Sequence, residues 1–203
     1  MRLPRLYPIV DAKFFRATTD LCAFCEELAA GGATLLQYRN KLTAGGLMLQ
    51  QAREIKRVLS SHVQLIMNDR ADLCLAAEFG GVHVGQDDLS PEAVRKIIGF
   101  ERVLGVSTHN PQQLSQAGET SADYVAIGPV FQTSSKENPD PVVGLEGVRQ
   151  ARGLTRKPLV AIGGITRDNA RSVIAAGADS VAVISDLVQE PRKSAEEFFL
   201  ILR

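Results

Sequence analysis

The sequence predicts an α/β fold, a (β/α)8 TIM barrel built as a single domain over residues 1–203. Two observations point there. A small-residue turn followed at once by a β-branched run recurs as AAGGATLLQ (29–37), EFGGVHVG (78–85), SADYVAIG (121–128) and AAGADSVAV (175–183). This is how a helix ends near a glycine and hands over directly to a strand. The unusual polar residues, moreover, gather at one end of these runs, as they do at the C-terminal rim of a closed parallel barrel.

In chain order, LYPIVD (6–11) is the first strand, and CAFCEELAA (22–30) has apolar residues at helical spacing. TLLQYR (34–39) is the second strand, followed by the helical LQQAREIKRVL (49–59). QLIMND (64–69) and GVHVG (81–85) are the third and fourth strands. Ser90-Pro91 and Asn110-Pro111 each supply an N-cap with proline in the first turn, on either side of strand five, VLGVST (103–108). YVAIGPV (124–130), PLVAIGG (158–164) and SVAVIS (180–185) complete eight, with the helical DNARSVIAA (168–176) before the last. Eight units average about 25 residues each, near the low end for this barrel. A doubly wound open sheet seldom needs so many regular repeats, and no GxGxxG follows the first strand.

The strand ends carry the chemistry. In LLQYRNK (35–41), Gln37, Arg39 and Lys41 alternate, so an extended chain sends all three the same way. Asn68 and Asp69 follow strand three, Asp88 strand four and Ser107 strand five; Thr133, Ser134, Ser135 and Lys136 follow strand six. Arg39, Lys41 and Lys136 offer a phosphate-gripping fork and two point charges. Asp69 and Asp88, at neighbouring strand ends, suit Mg²⁺ shared with a diphosphate, with Mn²⁺ accepting the same oxygens. Gly163 and Gly164 end strand seven before a helix opening near Thr166, and Ile184 and Ser185 end strand eight, where this fold often keeps a monophosphate. Two anions held by different means imply a transferase that joins a diphosphate-activated fragment to a phosphorylated acceptor. The competing explanation is surface pairing, in which Arg39 and Lys41 merely neutralise Asp69 and Asp88.

Composition narrows the setting. With 23 basic and 23 acidic residues the net charge is zero, leaving no basic excess for a nucleic acid or an anionic membrane. No apolar run approaches the ~20 residues of a membrane helix, and MRLPRLYPIVD lacks the unbroken apolar stretch of a signal peptide. Three cysteines do not make a disulfide framework, and the Cys22–Cys25 CxxC, inside a helix, reads as packing. A cytoplasmic protein acting on small molecules follows, with homo-oligomerisation left open. His83, mid-strand in GVHVG, reads as a hydrogen-bonded residue inside the barrel; His62 and His109 read as polar loop residues. The polar, proline-interrupted QTSSKENPDPVVG (132–144) is a lid over substrate or merely a solvated loop, and its Lys136 favours the lid.

The pieces QYRNK, MNDRADL, GVHVGQDDL, LGVSTHN, AIGPVFQTSSK, AIGGIT and VISDL, from residue 37 to 187, together resemble the thiamine-phosphate synthase family. The resemblance implies a (β/α)8 barrel and Mg²⁺. It also implies condensation of 4-amino-5-hydroxymethyl-2-methylpyrimidine diphosphate with 4-methyl-5-(2-hydroxyethyl)thiazole phosphate, or its carboxylated tautomer, to thiamine phosphate and diphosphate. Carried over by position, Gln37, Tyr38, Arg39, Asn40, Lys41, Asn68, Ser107 and Lys136 are the pyrimidine-diphosphate contacts, and Asp69 and Asp88 the metal ligands. Arg39, Lys41, Ser107 and Lys136 take the catalytic roles. Thr133, Ser134, Ser135, Gly163, Gly164, Ile184 and Ser185 are the thiazole-phosphate contacts. Ser135 stands where threonine is common and Asn40 where an acid is common. The rivals are an isomerase of the related thiazole-tautomerase family, which needs no metal–diphosphate site, and a non-catalytic sensor of a phosphorylated metabolite.

Overall fold

The computed structural model describes residues 3–59, 61–133 and 140–203. Eight parallel strands close into a barrel in sequence order: β1 (Leu6–Asp11), β2 (Leu35–Arg39), β3 (Gln64–Asn68), β4 (Gly81–Val84), β5 (Val103–Thr108), β6 (Tyr124–Ile127), β7 (Leu159–Ile162) and β8 (Ser180–Val183). Eight α-helices surround it: α1 (Thr18–Ala30), α2 (Gly45–Val58), α3 (Ala71–Ala76), α4 (Pro91–Ile98), α5 (Pro111–Glu119), α6 (Gly144–Leu154), α7 (Ala170–Ala175) and α8 (Pro191–Ile201). The barrel closes where Leu6, Tyr7 and Pro8 pair with Val181, Ala182 and Val183. Both faces of each strand are buried, which is why the runs read as nearly continuous apolar stretches.

Several boundaries follow directly from side-chain chemistry. Ser90 Oγ accepts from Ala93 N–H and Asn110 Oδ1 from Gln113 N–H, so both anticipated caps form with proline in the first turn. The helix-ending glycines Gly32 and Gly177 have φ of +100° and +114°, as a left-handed cap requires. In EFGG that place is taken by Glu78, with φ +53°, and not by a glycine. β6 stops at Ile127, three residues before the expected end, because Pro129 has no N–H to continue the ladder. α7 opens at Ala170 and not near Thr166; Asn169 Oδ1 captures the Thr166 N–H and holds residues 166–169 as a turn.

The core has two parts. A large apolar layer lies between barrel and helices, and a smaller one inside the barrel includes Leu3, Tyr7, Ile66 and Tyr124. Cys22 and Cys25 are buried free thiols, their proton affinity raised by that burial, so they pack as the sequence suggests. No described helix is long and apolar enough to cross a membrane.

Candidate active site

The C-terminal ends of the strands enclose a cavity of about 360 Å³. Its walls include Gln37, Arg39, Lys41, Asn68, Asp69, Asp88, Ser107, Thr133, Gly163, Gly164, Ile184 and Ser185. Twelve of the residues expected at the site thus share one mouth. A hollow of about 430 Å³ outside the barrel, around Arg167, is charge-compensated instead, because Arg167 pairs with both Asp186 and Glu197.

The anionic and cationic groups cluster on the β2–β4 side. Lys41 Nζ lies 2.8 Å from Asp69 Oδ2. Asp69 has φ +62°, a left-handed conformation that aspartate tolerates, and its N–H donates to His83 O at 2.8 Å. Asp88 Oδ2 accepts from Gly85 N–H at 2.7 Å, closing the turn after β4. Burial pushes the Asp88 carboxyl above its ordinary range; the Gly85 N–H opposes this, and the facing Asp69 carboxylate raises it further. Two facing carboxylates beside an ammonium form an oxygen donor set suited to a cation. Among the described residues no cluster of three His, Cys, Asp or Glu side chains could hold a metal. A pair suits Mg²⁺, which takes its remaining oxygens from water and substrate phosphates. The carboxylate facing Asp69 belongs to Asp88; the adjacent Asp87 also lines the cavity.

Arg39 does not pair with Asp69 or Asp88. Its guanidinium is bound by Asp11, the last residue of β1 and its register partner, which is 2% exposed. Asp11 was not among the expected site residues, although a carboxylate ending the buried LYPIVD run was a usable signal. Asn68 lines the cavity, and its buried Nδ2 has no hydrogen-bond partner among the described residues.

Two expected contacts point elsewhere. Tyr38 and Asn40 do not line the cavity: Tyr38 Oη donates to Gln51 Oε1 at 2.5 Å, and Asn40 Nδ2 bonds Thr43 Oγ1 and Gln51 Oε1. Alternation along β2 sends Tyr38 to the helical layer, and Asn40 Oδ1 takes the Leu42 N–H, folding the loop that carries Lys41. Ser134, Ser135 and Lys136, with the rest of 134–139 in the expected lid, lie outside the described residues. His109, read from sequence as a loop residue, lines the cavity with Gln113 and Asp140; its Nδ1 donates to Gly128 O at 2.6 Å. Nothing in the local pattern distinguished it from His62.

On the β6–β8 side, Gly163 and Gly164 have φ of +101° and +63°. A Cβ on Gly163 would fall 2.5 Å from Pro129 Cβ, and one on Gly164 2.4 Å from Gln132 O. The strand-seven turn is therefore pressed against the segment after β6, and only glycine fits.

A sequence model described as thiamine monophosphate synthase matches residues 6–187. The chain belongs to the thiamine monophosphate synthase family. The thiamine-phosphate synthase of Koribacter versatilis is 60% identical over 205 residues, covering 100% of this chain and 97% of that protein. That of Chloroflexus aurantiacus is 42% identical over 185 residues, covering 91% and 85%. Among solved structures, thiamine phosphate pyrophosphorylase from Pyrococcus furiosus superposes with a TM-score of 0.86 at 31% identity, over 98% of this chain and 95% of that one. As a thiamine-phosphate synthase family member the chain is a transferase, not the isomerase or the sensor, and it acts on small molecules.

Proposed function

We propose that the β2–β5 half of the cavity binds the pyrimidine diphosphate and the β6–β8 half binds the thiazole phosphate. The carrying observation is the clustering of Arg39, Lys41, Asn68, Asp69 and Asp88 at one wall, opposite the Gly163–Gly164 turn with Ile184 and Ser185. Arg39 and Lys41 hold diphosphate oxygens, Asn68 Nδ2 donates to the same ligand, and Asp69 and Asp88 would hold Mg²⁺. Lys136, outside the described residues, takes its role from the sequence alone.

In the reaction the C–O bond between the pyrimidine methylene and the diphosphate breaks, and its electron pair leaves with the diphosphate. The 4-amino group donates electron density into the ring and eases that cleavage. The thiazole nitrogen then gives its lone pair to the methylene, forming the C–N bond; a carboxylated acceptor also loses carbon dioxide. No strong base is needed. Arg39 and Lys41 stabilise charge growing on the leaving group, and Mg²⁺ held by Asp69 and Asp88 would supply Lewis-acid stabilisation there. The Gly163–Gly164 backbone and Ser185 keep the acceptor's phosphate as an unreactive handle. Three buried free thiols fit a reducing cytoplasmic setting.

The test mixes both substrates with Mg²⁺ and follows diphosphate. We expect release that requires the thiazole phosphate, is abolished by chelation, and falls ~100-fold or more in Asp69→Ala. Near-normal turnover in Asp69→Ala would overturn the metal assignment.

A further inference from the structure

Five side chains from five strands form one hydrogen-bonded chain beneath the cavity. Gln37 Nε2 donates to Tyr7 Oη at 2.9 Å. Tyr7 Oη and Tyr124 Oη are 2.8 Å apart. Tyr124 Oη lies 2.9 Å from His83 Nδ1, and His83 Nε2 lies 2.8 Å from Ser107 Oγ. Gln37, His83 and Ser107 line the cavity, whereas Tyr7 and Tyr124 are 1% and 0% exposed.

The chain has a direction. An amide nitrogen can only donate, so Tyr7 Oη accepts from Gln37 and spends its own proton on Tyr124. Tyr124 in turn spends its proton on His83 Nδ1. That nitrogen is therefore bare, and the imidazole proton sits on Nε2, where it is donated to Ser107 Oγ. The Ser107 proton is left for the cavity, and so is Gln37 Oε1 as an acceptor. The reverse polarity would present Ser107 as an acceptor instead.

We infer that Tyr7, Tyr124 and His83 are positioning residues that fix the Ser107 hydroxyl as an obligate donor toward the pyrimidine diphosphate. This rests on the proposed placement of that substrate beside Ser107. Its diphosphate oxygens and ring nitrogens are acceptors, so a donor serves them and an acceptor repels them. Gln37 Oε1, at the other end, matches the amino group of the same substrate.

The surroundings are shaped for the chain. A Cβ on Gly105 would fall 2.1 Å from Tyr124 Cζ and 2.5 Å from His83 Nδ1, so this position must be glycine for the two rings to meet. Gly105 sits between them in register, opposite His83 on one side and Tyr124 on the other. The His83 and Tyr124 rings stack with centroids 5.5 Å apart, and Tyr7 meets Tyr124 edge to face at 6.0 Å. Phenylalanine at positions 7 and 124 would fill the same apolar interior without two dry hydroxyls that need partners. What the hydroxyls add is polarity delivered to two groups of the cavity wall.

The experiment has a spectroscopic and a kinetic arm. With histidine ¹⁵N-labelled in the intact protein, NMR should find His83 as the Nε2–H tautomer, and Tyr124→Phe should shift it toward Nδ1–H. Tyr124→Phe and Tyr7→Phe should each lower kcat/KM for the pyrimidine diphosphate ~10-fold while Tm stays within a few degrees. Neither should lower it further when Ser107 is already alanine. An Nδ1–H tautomer in the native protein, full activity in both phenylalanine variants, or losses that multiply with Ser107→Ala would overturn the inference. An inert Ser107→Ala would sink the placement of the substrate instead. Tyr7→Phe breaks the chain one link upstream should Tyr124→Phe misfold, and the native tautomer needs no variant.

Discussion

Asp11 on β1 and Arg39 on β2 face each other in register, and the buried carboxylate of the first binds the guanidinium of the second. The ion pair turns a flexible cation into a fixed one at the cavity wall. It also gives Arg39 a structural part, because Asp11 is buried and Arg39 is its only salt-bridge partner among the described residues.

Arg39→Ala should therefore cost about 2–4 kcal/mol of stability by stranding a buried carboxylate, measured by urea unfolding. Removing Asp11 as well should restore part of that loss without restoring activity. Asp11→Asn should keep the fold but lower kcat/KM ~10-fold, because the fork is no longer oriented. Unchanged kinetics in Asp11→Asn would mean the pair plays no part in positioning.

Asn68 poses the opposite case. Its buried Nδ2 has no hydrogen-bond partner among the described residues, so no bond from that atom supports the fold. Asn68→Ala should move stability by no more than ~1 kcal/mol while kcat/KM falls ~10-fold or more. Loss of stability without loss of activity would place Asn68 in the scaffold.

His83 links the site to pH. Burial pushes its imidazole down to about 4, with the charge of Asp88 acting weakly the other way. The ordinary value, about 6.5, is that of the unfolded chain. Between those two values the unfolded state binds the extra proton, so stability is fully present above pH ~6.5 and is lost as pH falls toward 4. The loss should approach about 3 kcal/mol, read from denaturation midpoints across that window. His83→Gln should flatten that portion of the profile, and an unchanged slope would exclude His83 as its source.

How much of this was legible in the chain varies residue by residue. Gln37 and Arg39 declared themselves because a strand has period two and alternating residues share a face; Lys41 lies past the end of β2 and reaches the same cavity from the loop. The same rule already turned Tyr38 outward, yet family position grouped it with its neighbours; geometry returns it to the helical layer beside Gln51. Asn40 was misplaced because loop direction depends on side-chain–backbone bonds, here to Leu42 N–H, which no periodicity encodes. His83 was read correctly as an internal hydrogen-bonded residue, but its partners Tyr124 and Ser107 are 41 and 24 residues away.

The sequence by itself determined the eight-fold βα alternation and the end of the barrel that carries the polar groups. Those properties are local: periodicity, turn residues and the charge at each strand end. Tertiary structure alone decided that Arg39 belongs to Asp11, that Lys41 rather than Arg39 faces Asp69, and that Gln37 and Ser107 are joined through two tyrosines and a histidine. Barrel closure and strand register set those partnerships, because they bring residues far apart in the chain within hydrogen-bond distance.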